Sequence, residues 1–142
     1  MSTAPAGLGT AAAAGSGLLG EVYLAFSTAV LPALRRRPDA EAAAAMREVN
    51  RVILNPVFGT LFGGTALACG AALVVAALDG EPLRAAGAVA GLAGFAVTAA
   101  VNIPLNTALE GGGPWSAFDR RWTLANHLRT ATSALAVVLL LL

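Results

Sequence analysis

Four long apolar stretches separated by short polar connections dominate the pattern along the chain. Residues 8–34 are apolar or small except for Glu21, residues 56–78 carry no charge, and residues 84–109 carry none beyond Arg84. Residues 123–142 are interrupted only by His127 and Arg129. Each stretch is long enough to cross about 30 Å of hydrocarbon with some tilt. Pro32 and Arg35, Arg36 and Arg37 mark the end of the first; Asp79, Gly80, Glu81 and Pro82, then Gly111, Gly112, Gly113 and Pro114, punctuate the later ones. Such short connections predict antiparallel neighbours in a bundle.

Residues 39–55 follow a different rhythm. Met46, Val49 and Ile53 share one side of a helix while Arg47, Glu48 and Arg51 point to water, the pattern of a helix lying on a membrane surface. Pro38 suits its first turn and Pro56 marks its end. Residues 1–142 therefore read as one integral membrane domain. The predicted fold is all-α, a four-transmembrane-helix antiparallel bundle with an amphipathic cytoplasmic surface helix between the first and second spans.

Composition agrees. Hydrophobic residues make up 57% of the chain, charged residues 12%, and the mean hydropathy is +0.73, whereas a soluble domain is about a quarter charged. Nine arginines without a lysine stand against eight acids, and no basic run is long enough to follow a nucleic-acid backbone. The lysine-free, alanine-rich usage reads as GC-rich coding rather than as function. Five of the arginines fall between the first two apolar stretches, two more at 120 and 121, and only Arg84 in the remaining connection. Basic residues in short loops stay cytoplasmic, so both termini are expected outside a plasma membrane. Met1 to Thr10 holds no basic residue and the apolar run after it is too long for a signal-peptide core, so it reads as a retained span.

The polar residues inside the apolar stretches are the candidates for chemistry. Asn102 and Asn106 lie four apart on one helix face, and Pro104 between them removes a backbone donor and frees the carbonyl of Ala100. Trp122, Asn126 and Arg129 fall at i, i+4 and i+7, with His127 one position round. Asn50 shares the face of Met46 and Ile53. All of these belong to the cytoplasmic third of the predicted bundle. Individually they read as interhelical hydrogen bonds, a snorkelling arginine and a belt tryptophan; together they point to a polar pocket.

Glu21 is either mid-span, where an ionised carboxylate needs a proton or a partner, or close to the start of a shorter span. In the first case it is a proton carrier or general base. His127 is a candidate base or an interfacial histidine. One histidine, one cysteine (Cys69, a packing thiol in an apolar run) and no paired carboxylates leave no metal ligand set. The sequence is read as holding no phosphate-cradling loop, no dinucleotide-binding site and no nucleophile motif. Gly15, Gly17 and Gly20, and Gly59, Gly63 and Gly70, read as close-packing positions within the bundle or at a dimer seam.

Several of these residues together carry a resemblance. Leu31-Pro32-Ala33-Leu34 at the end of the first span, Asn50 ahead of Pro56 and Phe58, the Asn102-Ile103-Pro104-Leu105-Asn106 segment, and Trp122, Asn126 and Arg129 resemble the anthrone-oxygenase-like family of small four-helix membrane proteins. The resemblance covers nearly the whole chain. It implies cofactor-independent oxidation of an anthrone-type or other lipophilic aromatic to a quinone by dioxygen, with no flavin, haem or metal. The roles that follow are His127 or Glu21 as base; Asn102, Asn106 and Arg129 as donors to a developing oxyanion; and Trp122 with Phe95 or Phe118 as aromatic walls. Asn50 and Asn126 complete the expected substrate contacts. The expected partners are a small lipophilic substrate, dioxygen and membrane lipid, with association between copies of the chain left open. A non-catalytic membrane subunit or lipophile-binding protein needs the same pocket without the base.

Overall fold

A computed structural model describes residues 3–142, with side chains from Gly7 onward. Among the described residues every regular element is helical: α1 (Thr3–Ala25), a π-helical turn (Phe26–Val30), α2 (Leu31–Leu34), α3 (Asp39–Ile53), α4 (Pro56–Leu78), α5 (Pro82–Val97), a second π-helical turn (Thr98–Asn102), α6 (Ile103–Glu110) and α7 (Trp115–Leu141). They make four apolar helices, Gly7–Leu34, Pro56–Leu78, Pro82–Glu110 and Trp115–Leu141, each long enough to cross a membrane. Even the shortest extends about 35 Å at 1.5 Å per residue, against about 30 Å of hydrocarbon.

The two π-helical turns have one cause. Leu31 N–H bonds to Phe26 O and Ile103 N–H to Thr98 O, five residues back, and the next residue in each case is a proline, Pro32 or Pro104. A proline ring collides with the carbonyl four residues earlier and offers it no N–H. One extra residue in the turn relieves that collision.

Helices in lipid gain little from burying apolar surface and depend on close approach. Against α7, a Cβ on Gly87 would lie 2.9 Å from Leu140 N, so α5 can pack this near only with glycine there. Gly17 faces Val137 and Gly20 faces Ser133 in the α1/α7 seam, while Gly15 meets Thr65 of α4. Gly59, Gly63 and Gly70 of α4 have nothing within 4 Å of a would-be Cβ, so their small size is not used for packing within the chain. Gly91 of α5 is also close-packed, against Cys69 Sγ, which contacts Ser16 Oγ at 3.7 Å.

α3 begins with Asp39 and Glu41 in its first turn and ends with Arg51 in its last, the charge order that suits a helix dipole. It buries Ala42, Ala43 and Met46 against Leu31, Leu34, Leu105, Leu109, Trp115 and Phe118. The helix stops at Ile53 because Asn55 serves the next one, its Oδ1 accepting from Phe58 N–H at 3.0 Å ahead of Pro56. α7 starts at Trp115, two turns before the apolar run at 123. Pro114 precedes it, and Trp115, Phe118 and Trp122 bury one side while Arg120 and Arg121 stay exposed. The connections turn on Gly80 (φ +69°) and Gly112 (φ +91°).

Two ion pairs gather the 35–51 and 110–121 connections at one end of the bundle. Arg35 Nε and Nη2 donate to Asp119 at 2.8 Å each, with Nη2 also reaching Thr123 Oγ1 at 2.8 Å; Arg51 pairs with Glu110. The Asp119 hydrogen bonds push the Arg35 guanidinium above its already high pKa, against the smaller opposing pull of burial.

Candidate functional site

At the α3 end the helices separate around a cavity of about 760 Å³. Its walls come from five stretches of the chain: Tyr23 and Phe26, Asn50 and Ile53, Phe58 and Phe62, then Thr98, Asn102 and Asn106, and finally Trp122 and Arg129. Both π-helical turns contribute to it, Phe26 from the first and Thr98 and Asn102 from the second. The extra residue rotates the helix locally, and Asn102 and Asn106 both face the cavity across it.

Arg129 is the centre of the site. It is 6% exposed, and its guanidinium carbon stands 4.2 Å from the Tyr23 ring centroid and 5.2 Å from that of Trp122. Nη1 donates to Thr98 Oγ1 at 3.2 Å and Nη2 to Asn126 Oδ1 at 2.6 Å. Asn126 is held for this by its other end, Nδ2 donating to Tyr23 O (2.6 Å) and Ser27 Oγ (2.7 Å). That arrangement orients the amide oxygen towards the cation. Among the described residues no carboxylate pairs with Arg129.

Among the described residues, three buried side-chain polar atoms lack a partner: Arg129 Nε, Asn50 Nδ2 and Asn102 Oδ1. All three residues line the cavity. Buried polar groups are nearly always satisfied because leaving one unpaired costs about 1–3 kcal/mol. Two donors and one acceptor left open around a largely apolar space describe what the occupant must offer. Trp122 Nε1 donates to Asn106 Oδ1 at 2.8 Å and fixes the indole as a wall. Asn102 Nδ2 makes a long contact with Trp122 O, 3.5 Å. At the mouth, Glu110 lines the cavity and is paired with Arg51, which lines it too.

The residues singled out in the sequence divide into three groups. Asn50, Asn102, Asn106, Trp122 and Arg129 line the cavity. Asn126, Phe118 and Phe95 stand one layer behind it. Asn126 holds Arg129, Phe118 stacks on Trp122 at 5.8 Å between centroids, and Phe95 meets the edge of Phe62 at 4.7 Å. His127 and Glu21 are exposed on the outside of the bundle and do not reach the cavity.

Sequence reasoning assigned no site role to Tyr23, Thr98 and Phe62, and Phe58 entered only through the resemblance. Thr98 continues the 102, 106 series one turn back, and Phe58 and Phe62 are an i, i+4 aromatic pair, so both carried a periodic signal. Tyr23 had none. Among the described residues no three histidine, cysteine or acidic side chains gather as a metal site. Compared with known proteins, the chain matches no family model, no curated protein and no solved structure.

Proposed function

We propose that this chain is a multi-pass membrane protein that binds a lipophilic aromatic molecule by an acidic oxygen and promotes its oxidation by dioxygen without a cofactor. The observation that carries the reading is Arg129, a buried cation with no carboxylate and an open Nε, set between aromatic faces in an apolar cavity. An uncompensated cation in such surroundings favours an occupant that brings negative charge.

In this reading the spans run antiparallel, supported by the α1/α7 contacts: Gly20 meets Ser133 while Gly9 meets Leu140. α3 lies on the cytoplasmic face and both termini face outward, because seven of the nine arginines belong to the α3 end and the two connections tied to it.

The resemblance to the anthrone-oxygenase-like family supplies the class of reaction, and the cavity supplies its parts. An anthrone-type substrate has a methylene activated by a conjugated carbonyl. Loss of a methylene proton places charge on that oxygen, where Arg129 Nε and Asn50 Nδ2 donate to it, while Asn102 Oδ1 accepts from a neighbouring hydroxyl. Glu110, the carboxylate on the cavity wall, takes the proton; His127 and Glu21 stand too far outside for that role. The enolate then passes one electron to dioxygen, and the resulting radical pair combines as a carbon-bound peroxide. Loss of water from the peroxide leaves the quinone carbonyl. The methylene carbon exchanges two hydrogens for one oxygen atom, and the second oxygen atom departs with them as water.

One observation favours a second reading, a lipophile-binding protein without chemistry: the cavity holds no histidine, and Glu110 is engaged by Arg51. The test is purified protein in nanodiscs with an anthrone and dioxygen, following quinone absorbance and, separately, ligand binding. The oxygenase reading expects a rate well above spontaneous oxidation, lost by about 100-fold in Arg129→Gln. Tight binding at the spontaneous rate leaves the binding reading; absence of binding overturns both.

A further inference from the structure

Glu21 and His127 are ionisable side chains of the apolar helices that take no part in the cavity, and both face away from it. Glu21 lies near the middle of Gly7–Leu34 and His127 within Trp115–Leu141; each is exposed and has no hydrogen bond or ion pair among the described residues. An exposed carboxylate at that depth in hydrocarbon is costly, and intramembrane acids as a rule have a partner.

They also share one outer face. On α1, Gly17 and Gly20 mark the side turned to α7, against Val137 and Ser133. Glu21 follows Gly20 by about 100° of helix and so turns past that edge to the outside. On α7, Asn126 points to α1, bonding Tyr23 O and Ser27 Oγ, while Thr132 and Ala136 lie against Gly94 and Gly91 of α5. His127, about 100° beyond Asn126 in the sense away from α5, emerges on the same outer side of the α1/α7 seam. Gly20 meets Ser133 at one depth; Glu21 lies one residue and His127 six residues from that level in the same direction, so the acid and the imidazole differ in depth by about 7–8 Å, which two extended side chains can span. Around them Leu18, Leu24, Leu124 and Leu128 are about half exposed.

We propose that this face is the contact between two copies of the chain, related by a two-fold axis along the membrane normal and held by reciprocal ion pairs between Glu21 and the partner's His127. A two-fold contact presents the same patch twice, so it must be self-complementary: what one copy offers, the other must accept at the same place. A face carrying one acid and one base at neighbouring depths meets that requirement, and the surrounding leucines fill the remaining contact. A lipid headgroup does not, because it resides at the interface rather than at the depth of Glu21. An unrelated membrane helix would need only one of the two groups. The inference is independent of what the cavity binds.

The experiment uses the full chain in native-like membranes, with single cysteines introduced at Ala25 on the proposed contact or at Leu67 on the outer side of α4. Cys69 is fully buried, so the introduced thiols are the reactive ones. Oxidative cross-linking to a covalent dimer is expected from Ala25→Cys and not from Leu67→Cys. Mass measurement in mild detergent is expected to give a dimer for the native chain. Glu21→Gln and His127→Leu should each raise its dissociation constant at least tenfold, and the exchanged pair Glu21→His with His127→Glu should restore it. Glu21→Gln is isosteric on an exposed face and leaves helix content unchanged by circular dichroism. A monomeric native chain, a dimer indifferent to both single substitutions, or cross-linking through Leu67 rather than Ala25 overturns the proposal.

Discussion

Replacing Arg129 by methionine separates a ligand-binding cation from a structural one. The side chain makes two charge-assisted hydrogen bonds, to Thr98 Oγ1 and Asn126 Oδ1, and lies over two aromatic rings. Where the charge is otherwise compensated, a hydrogen bond to it is worth about 1.5–3 kcal/mol, and a desolvated ring contact roughly 1–2 kcal/mol. Against them stands the desolvation of a nearly buried cation, an effective several kcal/mol, with no carboxylate to offset it.

The opposing contributions almost cancel. After substitution no charge is stranded: Thr98 still donates to Gly94 O, so the loss is chiefly the unpaired Asn126 Oδ1, about 1–3 kcal/mol. Methionine fills most of the vacated length. We therefore expect Arg129→Met to lower stability by no more than about 3 kcal/mol, at or below the range of about 3–5 kcal/mol for breaking a paired buried charge.

Binding should respond differently. An anionic oxygen on Arg129 loses about 2–4 kcal/mol, or roughly 30- to 1,000-fold in affinity. The assay is quenching of Trp122, a wall of the cavity, by a planar hydroxyaryl ketone and by its methyl ether in a Trp115→Phe background, with stability read by detergent titration of helix content. Equal losses for the acid and the ether, or a stability loss above about 4 kcal/mol with binding intact, would refute the reasoning.

Three further outcomes follow from the packing and the hydrogen bonds. Gly87→Val should destabilise the bundle by about 2–3 kcal/mol because the new side chain meets the α7 backbone at Leu140, whereas Gly59→Ala, with open space around it, should be neutral or stabilising by about 0.5–1 kcal/mol; thermal unfolding of the two variants checks the contrast. Trp122→Phe removes the bond to Asn106 Oδ1 and is expected to cost about 1–2 kcal/mol, with ligand affinity falling in the same variant when followed by a fluorescent ligand. Pro104→Ala restores a backbone N–H, lets the Thr98–Asn102 turn relax towards α-helical register and turns Asn102 from the cavity; stability should hold or rise by about 1 kcal/mol while affinity falls, and equal affinity would show that the π-turn does not shape the site.

The four apolar helices and α3 were legible in the sequence because their causes are local. Hydrocarbon demands an uninterrupted apolar run whatever the neighbours are, and the Met46, Val49, Ile53 period marks a one-sided helix before any contact is known. Asn102 and Asn106 share a face by spacing alone, and Trp122 and Arg129, seven apart, do as well. Those pairs, with Asn50, are the part of the cavity that the sequence determined.

Other features depended on how the helices are rotated against one another. Asn126 and His127 are adjacent and equally polar, yet one anchors Arg129 and the other faces outward, because contacts with α1 and α5 set the rotation of α7. Glu21 and Tyr23 are two residues apart, about 200° of helix, and only the α1/α7 seam decides that the ring rather than the carboxylate meets the guanidinium. The π-turns before Pro32 and Pro104, and the start of α7 at Trp115, likewise reflect backbone strain and end packing that hydropathy does not register. Sequence thus determined which segments can cross a membrane and which polar residues they carry. Tertiary packing decided which of those residues meet, since a change of one position on a helix turns a side chain by about 100°, from the cavity to the lipid.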